Sequence, residues 1–509
     1  MPSRRNCHSG RVISRARLLP VVAATAATVT LLAGCSADRT ESPVRSATSA
    51  PVSTPAVEPP VGEVTPAGLA DAVTLDRVMG HVRAFQQIAD NHDGTRASGT
   101  PGYDASVDYV AGQLREAGFD VTTPEFGYKR FDLGPVKFSA DGRDVKGHVL
   151  EYSVGTREPV TAKPVTVAAT GCAPADFPPE VRGSFAVITR GTCTFTDKAR
   201  HAESAGAVGV VIVNNEDGPP FGLTLDTDAV PDIPVLGVAR DDAAQVREAE
   251  QLRLSVDAET TPVTTRNVIA ETRTGTPDDV VMAGAHLDSV TEGPGMNDNA
   301  SGSSAVLETA LRLGSSPRVP QRVRFAFWGG EEDGLLGSTE YVGGLDAAGR
   351  RALALYLNFD MLGSPNGGYF TYDGDDSERK GAPAGPAGSD GIERVFAKFY
   401  ADRGIPLGPV DFDGRSDYGP FIAVGIPAGG VATGAERQKT EEEAEMWGGK
   451  AGEAFDPNYH SPRDTIDNVD TELLGVNAAA VAHAVATYAL ATNGPDGVPA
   501  IDRRQREEG

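Results

Sequence analysis

Residues 280–302, VVMAGAHLDSVTEGPGMNDNASG, predict a buried strand that leads through a loop to a helix start. The apolar run ends in His286-Leu287-Asp288, and the loop ends near Asp298. Apolar residues then recur at helical spacing over 300–313. In an open α/β sheet, ligands bind outside the carboxyl ends of the strands. Imidazole and carboxylate groups at such a place suit a divalent metal, zinc first, although a structural His-x-Asp pair is the alternative.

Two later apolar runs also end in acidic residues. The run 323–328 is followed, after two glycines, by Glu331 and Glu332, and the run 353–359 is followed by Asp360. Adjacent carboxylates repel each other unless a cation or solvent separates them. Because the carboxyl ends of parallel strands gather at one edge of a sheet, we expect these groups to converge with the first histidine.

Two loops near the end of the chain add polar candidates. One holds Tyr459 and His460, and the other holds Arg415 and Asp417. Each loop alone is typical of an ordinary surface. Together with the strand ends, however, two histidines and three carboxylates form a natural ligand set for two zinc ions about 3.5–4 Å apart. One glutamate then remains to act as a base.

The length and charge of the chain limit the possible functions. A chain of 509 residues predicts two folded domains with tails rather than one domain. The net charge of -25 argues against binding to nucleic acid, whose phosphates require a basic surface. Such a charge is typical of a soluble, self-repelling surface.

Residues 1–35 are predicted to be a targeting segment. Five arginines precede an apolar run over 18–32, and the sequence Leu-Ala-Gly-Cys follows, ending at Cys35. This ending resembles a bacterial lipobox, in which the cysteine is lipidated and becomes the mature N-terminus; an ordinary signal peptide is the alternative. Two acyl chains on Cys35 suffice for stable attachment. We therefore expect a lipid-anchored protein on the extracytoplasmic face of the membrane, with secretion as a further location.

Changes in composition along the chain predict the boundaries between domains, linker and tail. Residues 36–66 are rich in Ser, Thr, Pro and Ala, which predicts a disordered linker. Helical spacing follows over 67–130, short β-like runs fill 131–262, and longer apolar strands and helices return over 263–493. Residues 494–509 are polar and have no period, which predicts a disordered tail.

The middle segment contains the two cysteines that remain after the targeting segment, Cys172 and Cys193. Outside the cytoplasm, such an isolated pair predicts a disulfide. Residues 183–215, GSFAVITRGTCTFTDKARHAESAGAVGVVIVNN, followed by Ile233-Pro234-Val235, resemble a protease-associated (PA) domain. The resemblance covers about residues 131–262. It implies an inserted β-rich domain that has no chemistry of its own and serves as a lid or docking module.

The order HxD, NDNASG, GGEE, NFDM, GRSDYxPF and YHxxxD resembles the di-zinc aminopeptidases of metallopeptidase family 28, of the secreted bacterial leucyl type. The resemblance covers about 67–130 and 263–493. It implies a zinc exopeptidase fold, which is α/β with a mixed, mostly parallel sheet sandwiched by helices. It also implies a cis peptide bond after Asp298. Relatives often carry cysteines beside the Tyr-His pair, where this chain has Asn458 and Arg463, so a disulfide brace is missing here.

The same resemblance implies a set of metal ligands. Asp298 would bridge two zinc ions. His286 and Asp360 would complete one site, and Glu332 and His460 would complete the other.

Five further residues would act around the metals. Glu331 would be the general base, moving a proton from a metal-bridging water to the leaving amine. Tyr459 would hydrogen-bond the oxyanion, and Asp288 would orient the first histidine. Arg415 and Asp417 would lie near the substrate.

These observations predict a monomeric, lipid-anchored aminopeptidase that removes N-terminal residues from peptides. A carboxypeptidase or a glutaminyl cyclase of the same fold is the first alternative. A carboxypeptidase requires a cation for the terminal carboxylate of its substrate, and Arg415 is available for that role. A non-catalytic receptor-like protein with the same two domains is the second alternative.

Overall fold

The computed structural model describes residues 52–168, 170–220, 222–379 and 381–506. The predicted targeting segment and Cys35 lie outside these residues. The helices are α1 (Pro66–Ala72), α2 (Leu75–Asn91), α3 (Pro101–Glu116), α4 (Phe195–Ser204), α5 (Ala243–Glu248), α6 (Gly302–Leu313), α7 (Leu336–Gly343), α8 (Ala347–Ala352), α9 (Ser389–Ala401), α10 (Gly419–Ala423), α11 (Glu441–Trp447) and α12 (Thr471–Leu490).

The strands are β1 (Asp120–Thr122), β2 (Glu125–Ala140), β3 (Arg143–Asp144), β4 (His148–Val149), β5 (Val160–Ala162), β6 (Pro164–Thr166), β7 (Phe185–Thr189), β8 (Gly209–Val213), β9 (Val235–Val238), β10 (Leu252–Arg266), β11 (Val268–Glu271), β12 (Thr276–His286), β13 (Gln321–Trp328), β14 (Leu353–Phe359), β15 (Phe370–Tyr372), β16 (Gly408–Val410) and β17 (Ala428–Ala432).

An eight-stranded sheet forms the larger part of the fold, in the order β1-β11-β13-β12-β14-β17-β15-β16. The three strands predicted to deliver polar residues, β12, β13 and β14, are adjacent and parallel. β17 extends this parallel centre, whereas β1, β11 and β15 join by antiparallel pairing. The predicted fold class, a mixed and mostly parallel sheet sandwiched by helices, is confirmed.

Helices cover both faces of this sheet. One face packs against α2, α3, α6, α9 and α12, and its core includes Phe325, Leu355 and Val481. On the other face, Tyr356 stacks on Phe421 of α10 with the ring centroids 4.0 Å apart. Burial on both faces explains why the central strands are continuous apolar runs. Within the described residues, α12 is the one helix long and apolar enough to cross a membrane, and 67% of its apolar window is buried in the fold.

The inserted segment forms a smaller β-rich domain. A five-stranded sheet has the order β4-β9-β8-β7-β6, and a four-stranded sheet has the order β3-β2-β10-β5. Helix α4 packs on the first sheet through Ala199 and Ala202. Cys172 and Cys193 form the predicted disulfide. The long strands β2 and β10 pair antiparallel along their lengths and connect this domain to the larger sheet.

The predicted disorder at the two ends of the folded part is wrong for the residues that the structure describes. Before α1, Val61 donates its N–H to the carbonyl of Arg312 at 2.8 Å, and Val57 and Val61 pack against the core. After α12, the buried Arg504 donates to the carbonyl of Arg351 and to Asp279. Both segments are held by scattered single contacts, which leave no period in the sequence.

Candidate metal centre

The sheet edge brings the predicted polar residues together. His286 is the last residue of β12, and in the sheet it pairs with Trp328, the last residue of β13. Glu331 and Glu332 follow β13 after a two-glycine turn, and Asp360 directly follows β14. These four side chains therefore lie at the carboxyl ends of three adjacent parallel strands, as predicted.

Asp298 reaches the same edge from the wide helical turn Met296–Ser301 that precedes α6. The Asp298–Asn299 peptide bond is cis, as the resemblance implied. A Cβ atom on Gly302 would lie 2.3 Å from the carbonyl oxygen of Phe359. Glycine at this position therefore allows the turn to close on the end of β14.

The donor atoms fall into two groups that share Asp298. His286 Nε2 lies 3.1 Å from Asp298 Oδ1 and 3.2 Å from Asp360 Oδ1. His460 Nε2 lies 3.3 Å from Asp298 Oδ2 and 2.9 Å from Glu332 Oε2. Each oxygen of Asp298 thus faces a different histidine.

This geometry fits two divalent cations. Ligand atoms about 2.0–2.1 Å from a tetrahedral zinc lie about 3.3 Å from one another, which is close to the separations within each group. Imidazole nitrogens with carboxylate oxygens form a donor set that zinc accepts. In addition, Glu332 Oε1 is buried and has no hydrogen-bond partner among the described residues.

The electrostatics of the site also favour a cation. Burial raises the pKa of Glu331 well above its ordinary value and that of Glu332 to about 8. Burial alone would lower the pKa of His286, but Glu331 and Asp360 raise it well above its ordinary value. Several carboxylates this close together in a largely buried site require positive charge, which protons or metal ions supply.

Glu331 lies beside the first group rather than within it. Its Oε2 is 3.9 Å from His286 Nε2. The oxygens of Asp298 and Asp360 that face the same nitrogen are closer, at 3.1 and 3.2 Å. With His286 and Asp360 it forms a further group whose donor atoms lie within 4.8 Å of one another, but Glu331 is the most distant of the carboxylates that face this nitrogen. This position suits a base more than a ligand.

Asp288 holds both His286 and Glu331. His286 Nδ1 lies 3.1 Å from the Asp288 carbonyl oxygen and 3.7 Å from its carboxylate Oδ1. A proton held on Nδ1 leaves the lone pair of Nε2 facing the site. The same Oδ1 accepts the N–H of Glu331 at 3.4 Å.

Tyr459 stacks on His460 with the ring centroids 3.7 Å apart. Burial, with Asp298 and Glu332 nearby, raises the pKa of its hydroxyl far above the ordinary value. The phenol therefore stays protonated and remains a hydrogen-bond donor beside the site.

Two parts of the chain match known protein families. Residues 267–485 match Peptidase family M28, and residues 160–246 match the PA domain. A Mycobacterium tuberculosis protein named probable lipoprotein aminopeptidase LpqL is 45% identical over 505 residues, which cover 97% of this chain and 99% of that protein. The chain belongs to peptidase family M28. This confirms the predicted family and the inserted PA domain.

Further relatives of this M28 peptidase come from several bacteria. A protein of Pseudomonas aeruginosa strain UCBPP-PA14 named aminopeptidase is 42% identical over 449 residues, which cover 84% of this chain and 83% of that protein. The solved aminopeptidase from Aneurinibacillus sp. strain AM-1 matches with a TM-score of 0.61 and 27% identity, covering 83% of this chain and 95% of that one. BSAP, a zinc aminopeptidase from Bacillus subtilis, matches with a TM-score of 0.53 and 26% identity, covering 82% and 95% of the two chains.

The two residues predicted to lie near the substrate have different environments in the M28 peptidase. Arg415 is exposed and pairs with Glu436 at 3.1 Å. The next residue, Ser416, donates from Oγ to Asp360 Oδ2 at 2.7 Å. Asp417 is only 1% exposed. Its loop turns inward before α10, and the charges of His286 and Asp360 act on its carboxyl group. The placement of Asp417 near the substrate stays a prediction.

Asp464 is a residue of the site whose role the sequence did not reveal. Its Oδ1 accepts the N–H of Asn297 at 2.7 Å, and its Oδ2 accepts the N–H of Asp298 at 2.9 Å. It lies four residues after His460, in the YHxxxD pattern, which gave its position but not its partners. Nearby, Arg463 Nε donates to Asn458 Oδ1 at 3.3 Å, so a hydrogen bond joins the two positions at which the resemblance implied cysteines.

Arg96 is a second residue that the sequence did not single out. It is fully buried, and its guanidinium donates to the carbonyls of Leu287, Pro294 and Gly295. It therefore fixes the loop that connects His286 with the turn of Asp298. Its position far upstream in the chain gave no signal of this contact.

A cavity of about 650 Å³ lies near the end of β17 and includes Arg415 in its lining. Val431 pairs with Phe359 in the sheet, so Ala432, which lines the cavity, lies next to Asp360. The lining also includes the aromatic residues Phe370, Trp447 and Phe455, the acids Asp373, Glu378, Asp411, Asp413, Glu436 and Glu443, and the arginines Arg415 and Arg437.

Proposed function

We propose that this M28 peptidase is a di-zinc aminopeptidase that removes N-terminal residues from peptides. The observation that carries the proposal is the pair of three-donor groups that share Asp298. The names of its relatives, which include a lipoprotein aminopeptidase and a zinc aminopeptidase, support the same activity.

His286 and Asp360 would hold one zinc ion, Glu332 and His460 the other, and Asp298 both. When bound, the two ions supply Lewis acidity at the scissile carbonyl and lower the pKa of the attacking water.

The residues of the chain supply the remaining chemistry. Glu331 takes a proton from the attacking water and passes it to the leaving amine. Its burial favours a carboxyl group that can hold this proton between the two steps. The protonated hydroxyl of Tyr459 donates to the oxyanion that develops on the carbonyl.

The charges around the site favour a substrate with a free amino terminus. Glu331 and Asp360 offer negative charge to the substrate ammonium. A carboxypeptidase would need a free cation, but Arg415 pairs with Glu436 at 3.1 Å and Arg437 pairs with Glu443 at 2.6 Å. Both arginines among the described lining residues are therefore already paired with acids, which weakens the case for the carboxypeptidase alternative.

The proposed location is the outer face of the cell membrane. The lipobox-like sequence ending at Cys35 and the relative named as a lipoprotein support lipid attachment there. The PA domain and the peptidase sheet would then face extracytoplasmic peptides, and we propose that the chain acts as a monomer.

A substrate comparison tests the proposed activity. Peptides with a free amino terminus, the same peptides with an N-acetyl group, and the same peptides with a C-terminal amide are incubated with the purified enzyme. We expect hydrolysis of the first and third sets only, with release of the N-terminal residue. Hydrolysis of the acetylated set, or loss of activity on the amidated set, would contradict the proposal.

A further inference from the structure

The strand pair β2 and β10, here called the ribbon, links the inserted domain to the loop of residues 329–335. This loop carries Glu331 and Glu332 and is here called the catalytic loop. The two strands pair from Glu125 and Arg266 at one end to Ala140 and Leu252 at the other. The far end contributes Phe138 and Leu252 to the core of the PA domain. Strand β2 also packs against α7, the helix that follows the catalytic loop. One continuous ribbon therefore belongs to both domains.

Tyr128, near the base of the ribbon, contacts the loop on both sides of the two glutamates. Its hydroxyl donates to Asp333 Oδ2. Its ring lies over the start of the loop, since a Cβ atom on Gly330 would be 3.5 Å from ring carbon Cε1. Gly330 and Asp333 flank Glu331 and Glu332 in the chain. The two glutamates therefore lie between two residues that the Tyr128 side chain contacts.

Ser98 gives the ribbon a second contact with the same loop. Its Oγ accepts the N–H of Gly330 at 2.7 Å. Both strands of the ribbon hold Ser98 in turn, because Thr265 Oγ1 donates to its Oγ at 3.2 Å and Arg130 Nη1 donates to its carbonyl at 3.2 Å. The backbone before Glu331 is therefore fixed by three residues, two of which belong to the ribbon.

We propose that Tyr128 is a positioning residue for Glu331 and Glu332, and that the ribbon couples the PA domain to the catalytic loop. The proposal rests on the roles proposed above for the two glutamates. A base and a metal ligand act only when held within a fraction of an ångström, and a loop that starts with two glycines does not hold itself. A hydroxyl that donates to a carboxylate is among the stronger single contacts available for this purpose.

The variant Tyr128→Phe tests the proposal, because it keeps the ring over Gly330 and removes the donor. We expect kcat to fall about tenfold, KM to stay within about twofold, and the zinc content to equal that of the wild type. The matched control is Tyr488→Phe, in helix α12. It removes a hydroxyl that donates to the carbonyl of Asp496 at 2.9 Å, away from the catalytic loop. A kcat of Tyr128→Phe equal to that of the control would overturn the proposal.

A double-mutant cycle adds a test that a general loss of stability would not satisfy. Asp333→Asn should lower kcat by a similar factor, and the double variant should be no slower than either single variant. If the kcat of the double variant fell by the product of the two single reductions, the two residues would act independently, and this result would contradict the coupling.

Hydrogen exchange gives a readout that does not depend on turnover. In Tyr128→Phe we expect the amides of residues 329–335 to exchange about tenfold faster than in the wild type. Unchanged exchange would overturn the positioning role. If the wild-type enzyme fails to cleave free-amine peptides, the proposed function fails, and the exchange experiment still decides the role of Tyr128.

Discussion

The carboxylate of Asp464 accepts the backbone N–H of Asp298 at 2.9 Å. The proposed bridging ligand is thereby tied to the loop that carries His460, so the two donors move as one unit. This contact spans a long stretch of chain and joins residues from two different structural elements. It offers a way for an exposed loop to present the proposed ligand His460 without a disulfide brace.

The first prediction concerns this contact. In Asp464→Asn the amide offers one acceptor oxygen for two backbone donors, so one N–H near Asp298 loses its partner. We expect the affinity for zinc to fall at least about tenfold, measured by competition with a chelator. Asp467→Asn, in the short 3₁₀ turn Ile466–Asn468, serves as the control. Unchanged zinc affinity would show that the contact does not hold the ligand.

The second prediction concerns the base. Glu331→Gln should keep its zinc, because neither of the two groups that share Asp298 includes Glu331, and should lose activity by about 10³-fold. The measurements are zinc content and kcat on a free-amine substrate. Glu340→Gln, an exposed glutamate of α7, is the control and should behave as the wild type. If Glu331→Gln kept its activity, another group would have to be the base.

The third prediction follows from the cavity near the end of β17. Among the described residues, six acids and two arginines line it, so the formal charge of these lining residues is negative by four. We expect lysine p-nitroanilide to be cleaved about tenfold more efficiently than its Nε-acetyl derivative, and this ratio to fall as salt is added. The derivative keeps the apolar stem and removes the charge. Equal kcat/KM values for the two substrates would show that the acids do not reach the bound side chain.

The fourth prediction concerns attachment to the membrane. Cys35→Ser should move the protein from the membrane fraction to the soluble fraction of cells, because the acyl chains are lost. Cys7→Ser, within the same targeting segment, should leave the distribution unchanged. Continued membrane attachment of Cys35→Ser would contradict the lipid anchor.

Much of the site could be predicted because its residues follow apolar strands directly. His286, Glu332 and Asp360 each come within a few residues of a buried run, and parallel strands must bring their ends together. An open α/β sheet with converging strand ends followed from the same runs, whereas the mixed, mostly parallel sheet sandwiched by helices was implied by the resemblance to metallopeptidase family 28.

The remaining features depend on contacts between residues that are far apart in sequence. Three such features depend on where distant segments pack: the inward turn of Asp417, the carbonyls that accept from Arg504, and the contact of Tyr128 with Asp333. No period or motif in the sequence reports such contacts. The same reason explains why Asp464 could be found in a pattern but its partners could not.

The zinc content of the purified enzyme tests the central claim most directly. We predict about two zinc ions per chain for the wild type, and a loss of both sites in Asp298→Ala, since Asp298 contributes one oxygen to each donor group. One ion in the wild type, or a variant that keeps one fully occupied site, would contradict a bridged pair of metals.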